Sequence, residues 1–265
     1  MKSKTLRIIN TVFFCVMVII NALANILPLG IGNTGAVSAK YPNLFTPAPI
    51  TFAIWGLIYV MMALFLLWQW GLLGKKEKAE DDLQVIGPWF AFSCLANIGW
   101  IFAWHFDIIW LSAVIITVLL VSLAVISIKI KSRQRDGLSY FAVNAGFDLY
   151  FGWIIAATIA NISVLLTNLG WNGFGLSPVF WTCIVLVAGA IIGALPSLRY
   201  RKWFSTFAVV WAYVGILIKH ISQEGYAGKY PIIITFAILG VVFMLSAMMI
   251  KFVNFTYSHK NEVTA

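Results

Sequence analysis

The chain has 265 residues, of which 62% are hydrophobic and only 10% charged, with a formal net charge of +9 and a mean hydropathy of +0.93. An ordinary soluble domain carries roughly a quarter charged residues, so a soluble globular fold is excluded. The apolar runs reach the ~20 residues a helix needs to cross a hydrocarbon core of about 30 Å, and the alternating, turn-rich pattern of a β-barrel is absent. The fold class is therefore all-α: a polytopic integral membrane bundle. The basic balance does not point to nucleic acid, because the charges are divided among loops.

Eight spans are expected, at about residues 6–27, 50–73, 86–105, 108–129, 139–165, 178–196, 203–221 and 231–253. The first carries Asn21 and Asn25 one turn apart on one face. Its basic start, apolar run and Ala22-Leu23-Ala24 imitate a signal peptide, but the segment is expected to be retained as a helix. The stretch Pro28 to Pro49 is long for a connection and rich in Gly and Pro, which marks it as functional or mobile rather than passive. Its end, Phe45-Thr46-Pro47-Ala48-Pro49, is stiffened by fixed proline angles, and the second span begins near Ile50. Lys75 to Asp82 reads as a short solvated loop. The third and fourth spans form a tight hairpin around Asp107. The uncharged loop Thr167 to Pro178 holds Trp171 and Phe174, a composition that suits the lipid interface.

Charge orients the bundle. With eight spans, all of the 18 basic residues except Lys40, Lys219 and Lys229 fall on one side. That side includes Lys2, Arg133, Arg135, Lys251 and Lys260. The positive-inside rule then places both termini in the cytoplasm of a multi-pass protein of the plasma membrane.

Polar groups at depth face partners or cavities. Asn97 in the third span and Asn144, Asp148 and Asn161 in the fifth join Asn21 and Asn25. Asp148, the only acid well inside a span, leaves open a proton relay, a partnered role or a neutral one. Lys219 is expected to snorkel to the interface. His105 and Asp107 form too small a set for a metal site. Cys15, Cys94 and Cys183 show neither metal nor disulfide spacing. Gly189 and Gly193 read as a close helix contact. Of the 12 Trp, Trp68, Trp70, Trp89, Trp110, Trp171, Trp181 and Trp203 need only the interface explanation, and Trp211 lies deeper with no motif around it. No nucleophile triad, phosphate loop or paired-carboxylate site stands at useful spacing.

Four stretches carry a resemblance to the tryptophan-rich sensory protein family, also known as the translocator protein or peripheral benzodiazepine receptor family. Phe45 to Tyr59, with Pro47, Phe52, Trp55 and Tyr59, is similar to its loop and second helix, Phe-x-Pro-Pro followed by Phe and Val-Trp-x-x-x-Tyr. Asn97-Ile98-Gly99-Trp100, followed by Trp104, resembles its third helix. Tyr150-x-x-Trp153-x-x-x-Ala157-x-x-x-Asn161 reproduces its fifth-helix spacing, and Asn168 follows as it does in the family. There are departures: Pro49 is displaced from the paired prolines, the Phe-to-Trp gap is one residue short, and Leu149 stands where a proline is expected. The resemblance covers about residues 10–168, so the chain looks like a long, divergent member. It divides into a five-helix unit at 1–168 and three added helices with a short cytoplasmic tail at 169–265.

The resemblance implies a ligand cavity among the first five helices, capped by the loop between the first two. Trp55, Tyr59, Asn97, Trp100, Trp104, Tyr150, Trp153, Ala157 and Asn161 would line it, and Pro47 and Phe52 would shape the lid. The expected function is a non-enzymatic membrane receptor, sensor or carrier for a hydrophobic planar molecule such as a porphyrin or other tetrapyrrole. A macrocycle of that kind gains from stacking on indoles. No cofactor or metal is expected, porphyrin or haem being the ligand. The expected partners are membrane lipid, the small-molecule ligand and, as in the family, a second copy in a homodimer, with no nucleic acid. A proton-coupled secondary transporter of a small hydrophobic solute and a porphyrin-degrading membrane enzyme are the alternatives.

Overall fold

The computed structural model describes residues 3–27, 30, 32–131 and 137–263, with side chains assigned up to residue 250 outside the gaps and excepting 131. Among the described residues, eight helices are long and apolar enough to cross a membrane. In chain order, α1 is Ser3–Ile26, a short α2 is Thr34–Lys40, α3 is Ile54–Gln69, α4 is Lys76–His105, and α5 is Ile109–Lys131. Then α6 is Gly137–Asn168, α7 Pro178–Tyr200, α8 Trp203–Ile221 and α9 Pro231–Val263. The eight expected spans are all present, and no strand occurs among the described residues. Of the basic residues on which the orientation rests, Lys2, Arg133 and Arg135 lie outside the described residues.

The helices are apolar on both faces, as lipid requires. On α5, Ile116, Leu119, Leu123 and Ile126 are buried, while Trp110, Val114, Val118 and Val121 are exposed. In water that outer stripe would be a large exposed apolar patch; in a bilayer it meets acyl chains.

Two sequence expectations change. Lys76 to Asp82 is helical, the first turns of α4, and not a loop. Its Lys, Glu and Ala are strong helix formers, and Glu77 sits in the first turn, where the helix dipole favours an acid. Trp68 is not an interface residue: it is buried, and its Nε1 donates to Asp82 Oδ2 at 2.9 Å. That hydrogen bond ties the end of α3 to the start of α4.

α6 is central. It packs on α3 and α5 on one side and on α8 on the other. The α6–α8 approach depends on Gly152, where a Cβ would stand 2.0 Å from the Ser205 carbonyl oxygen. Just after its first turn, α6 has a π-helical segment, Tyr140–Ala145, a widening that often marks functional sites. Just beyond it, Asp148 pairs with Lys202 Nζ at 2.7 Å, both groups being buried. Gly189 and Gly193 do serve a close helix contact: their added Cβ atoms would meet Tyr213 Oη and Val209 Cγ1, each at 2.7 Å.

The apolar core falls into two clusters. The larger runs from α1 to α6 and also takes in Ala208 and Ala212 of α8. The smaller lies among α7, α8 and α9, and includes Leu44 and Phe45 from the loop before α3 and Ile155 from α6. The last three helices therefore interlock with the first five.

Candidate functional site

The aromatic residues of the second, third and fifth spans converge. Trp55 is the hub. Its ring centroid lies 5.7 Å from that of Tyr59, stacked, and 6.1 Å from Trp100. It meets Tyr150 and Trp153 edge-on, at 5.7 and 6.2 Å. Trp100 and Trp104, one turn apart, stack at 5.8 Å, and Phe52 meets Trp153 edge-on at 6.0 Å. Offset-stacked and edge-to-face pairs are the favoured aromatic geometries, each worth about 0.5–1.5 kcal/mol beyond area burial.

Buried amides fix these rings. Asn21 Nδ2 donates to Asn97 Oδ1 at 2.7 Å, and Asn97 Nδ2 donates to Tyr150 Oη at 3.1 Å. Trp100 Nε1 donates to Asn161 Oδ1, and Asn161 Nδ2 to Ser112 Oγ, both at 3.0 Å. Trp104 Nε1 donates to the Thr34 carbonyl at 3.1 Å. α1, α4, α5 and α6 are thereby joined, and α2 is tied to α4. Trp153 Nε1 differs: it is buried and has no hydrogen-bond partner.

The rings do not enclose one large chamber. Trp55, Trp100, Trp104, Trp153, Ala157 and Asn161, with Pro47 and Phe52 above them, surround a space of only about 30 Å³. Tyr59 faces away from it. Asn97 and Tyr150 line neither this space nor the larger one beyond Trp55; they form the hydrogen-bonded chain behind the rings. The larger space, about 440 Å³, lies on the other side of Trp55, between α1, α2 and α3. Asn21, Asn25, Asn33 and Thr34 give it a polar end, and Val18, Phe52, Trp55 and Tyr59 contribute apolar and aromatic walls. Phe52 and Trp55 line both spaces and form the partition between them.

Some of the lining is invisible to motif reasoning. Ala212 and Ile216 of α8 complete the wall of the small space, so the added helices are part of the site. Asn33 caps α2 through its Oδ1 and the Ala36 amide at 2.9 Å; an Asn before a short helical run was the available signal. α2 is held by Thr34 Oγ1 and His105 Nε2 at 3.2 Å, and by an ion pair of Lys40 with Asp107. Tyr41 Oη donates to Asp107 Oδ1 at 2.6 Å and accepts from Asn168 Nδ2 at 3.3 Å. His105 and Asp107 thus anchor the lid. Partial burial works against the Asp107 charge, but the Lys40 ammonium and the Tyr41 hydroxyl hold its carboxyl below the usual range. Hydrogen bonding to Asp107 raises Lys40.

No group of three or more His, Cys, Asp or Glu side chains that could hold a metal ion occurs among the described residues. No curated protein and no solved structure matches the chain. The sequence model of the family described as TSPO-like protein matches residues 7–250, running through the last three helices and well past residue 168, where the motif resemblance stops. With eight membrane-length helices and a family match over most of its length, the chain is a multi-pass membrane protein of receptor or transporter type and belongs to the TSPO-like protein family.

Proposed function

We propose that the protein is a non-enzymatic receptor or carrier for a hydrophobic planar ligand with hydrogen-bond acceptors on its edge, a porphyrin or related tetrapyrrole. The ligand would occupy the space between α1, α2 and α3 and extend past the Phe52–Trp55 partition to Trp153. The observation that carries this reading is the Trp153 indole N–H, buried beside the small space without an acceptor. An unsatisfied buried donor costs about 1–3 kcal/mol, and a ligand carbonyl or carboxylate would remove that penalty. A space of 30 Å³ cannot admit a macrocycle, whereas 440 Å³ falls within the ~300–1,000 Å³ typical of small-molecule sites. Rotation of Phe52 and Trp55 would join the two. Trp55 and Tyr59 offer ring faces, and the amide-rich end suits the ligand's polar edge.

In this reading porphyrin or haem is the ligand and no cofactor is needed. Both termini lie in the cytoplasm, which the distribution of basic residues supports. Titrating the purified protein with protoporphyrin should quench Trp fluorescence saturably. Absence of saturable quenching would sink the proposal, and progressive loss of porphyrin absorbance under illumination would replace a receptor by an enzyme. Asp148, on which proton coupling would turn, is already engaged by Lys202; proton-driven uptake into vesicles that disappears in Asp148→Asn would favour the transporter.

A further inference from the structure

The loop over the aromatic cluster, residues 43–53, is gripped along its length by α8 and the turn that follows it. Ala48 N donates to the Gly215 carbonyl at 3.0 Å. Trp211 Nε1 donates to the Thr51 carbonyl at 2.8 Å. His220 Nε2 lies 2.9 Å from the Leu44 carbonyl oxygen, which fixes that nitrogen as the protonated one, because a carbonyl can only accept. Tyr226 Oη donates to the Asn43 carbonyl at 3.2 Å. The loop can pack this closely on α8 because position 215 is glycine: a Cβ there would stand 2.0 Å from the Thr51 side-chain Oγ1.

The clasp is itself well fixed. His220 is fully buried, and its ring centroid lies 4.8 Å from Tyr226 and 5.8 Å from Tyr230. The turn folds back through Tyr226 N to the Lys219 carbonyl at 2.9 Å and Gly228 N to the His220 carbonyl at 2.8 Å. The four points of attachment, at Asn43, Leu44, Ala48 and Thr51, are spread along the loop. Opening the lid would break them together and expose buried carbonyls, each costing about 1–3 kcal/mol if left unpaired. On the opposite side, between α1 and α3, the 440 Å³ space is bounded by Ala22 and Ile26, which are exposed on α1, and no comparable set of bonds closes it among the described residues.

We infer that α8 and its following turn are a permanent clasp on the lid, with Trp211, His220 and Tyr226 as positioning residues, so that a ligand exchanges through the α1–α3 side and not under the lid. The clasp itself stands independently of the ligand assigned under Proposed function, while the exchange route rests on that assignment. It also gives the three added helices a purpose: they hold the 43–53 part of the lid, while His105 and Asp107 of the first five helices hold its α2 end.

The test begins without ligand. Hydrogen exchange of the 43–53 amides, with Ala48 N as the direct reporter, is measured in wild type, His220→Leu, His220→Gln and Trp211→Phe. The clasp predicts at least tenfold faster exchange in His220→Leu and Trp211→Phe, with the α4 and α5 amides unchanged. His220→Gln should return towards wild type, since its amide N–H can still donate to Leu44. Exchange in His220→Leu and Trp211→Phe within twofold of wild type would overturn the clasp. Stopped-flow mixing with protoporphyrin then tests the route: association should stay within twofold in His220→Leu and slow about tenfold in Ala22→Trp. Faster association in His220→Leu with no change in Ala22→Trp would place the route under the lid. Should protoporphyrin fail to bind wild type at all, the ligand assignment and the exchange route fall together, while the exchange result still decides the clasp.

Discussion

Replacing Lys202 by Met should be among the most damaging single changes outside the aromatic cluster. Lys202 Nζ and Asp148 Oδ1 stand 2.7 Å apart, with side-chain exposures of 7% and 3%. Their gross attraction is about 6 kcal/mol at an effective dielectric of ~20. Desolvating the two ions costs several kcal/mol each, so the intact pair contributes little net stability. Lys202→Met removes the attraction and leaves the desolvated carboxylate in place, and breaking a buried pair in this way costs about 3–5 kcal/mol. The Asp148→Leu/Lys202→Met double variant removes both charges and should regain most of that loss. Equilibrium unfolding in mixed SDS micelles, followed by circular dichroism, measures all three proteins. If Lys202→Met falls within about 1 kcal/mol of wild type, or if the double variant is as unstable as the single, the pair is not a buried ion pair in the membrane and the reasoning fails.

Three further outcomes follow from named contacts. Asn97→Leu breaks the Asn21–Asn97–Tyr150 chain and should cost about 0.6–1.7 kcal/mol per lost bond in the same unfolding assay; no loss would mean that the amides find other partners. Gly152→Val drives a side chain into the Ser205 backbone and should destabilise by about 1–3 kcal/mol or more, as overpacking does, with protease sensitivity rising in the 201–202 connection. The Lys40–Tyr41–Asp107 cluster should respond to acid. The Asp107 carboxyl is lower in the folded protein, so its stabilising effect is complete above its unfolded pKa of ~3.9 and is lost as pH falls through the folded value. Exchange of the α2 amides, corrected for intrinsic rates, should be flat from about pH 5 to 7 and rise only below about pH 4; a rise centred near pH 6 would implicate another group.

Apolar length made the eight spans legible, because a membrane helix advertises itself by ~20 uninterrupted apolar residues. Boundaries were less legible where physics other than hydropathy decides. Lys76–Asp82 continues α4 into the polar region because its residues favour helix irrespective of burial. α2, seven residues long, owes its helix to the Asn33 cap and to tertiary ties from His105 and Asp107; local propensity over so short a stretch decides little. Within the site, i to i+4 spacing put Trp100 with Trp104 and linked Tyr150, Trp153, Ala157 and Asn161 along one helix, and those groups do converge. What spacing could not tell was how tightly the rings pack. Trp55 fills the space between them, and the larger void falls on its far side. Trp211 had no motif because its partner is a backbone carbonyl, Thr51 O, which any sequence supplies. The roles of Ala212, Ile216 and His220 likewise depend on the docking of α8 against the lid, a long-range contact with no local signature.

The central claim is that a planar ligand reaches the unpartnered Trp153 N–H, and protoporphyrin titration of wild type against Trp153→Phe tests it most directly. Phe keeps the ring and removes only the donor. The account predicts saturable binding to wild type and a dissociation constant raised about tenfold in the variant, the equivalent of one hydrogen bond of roughly 1.4 kcal/mol. Trp171→Phe, in the exposed loop before α7, should bind as wild type does. Equal affinity in wild type and Trp153→Phe, or no saturable binding to either, would contradict it.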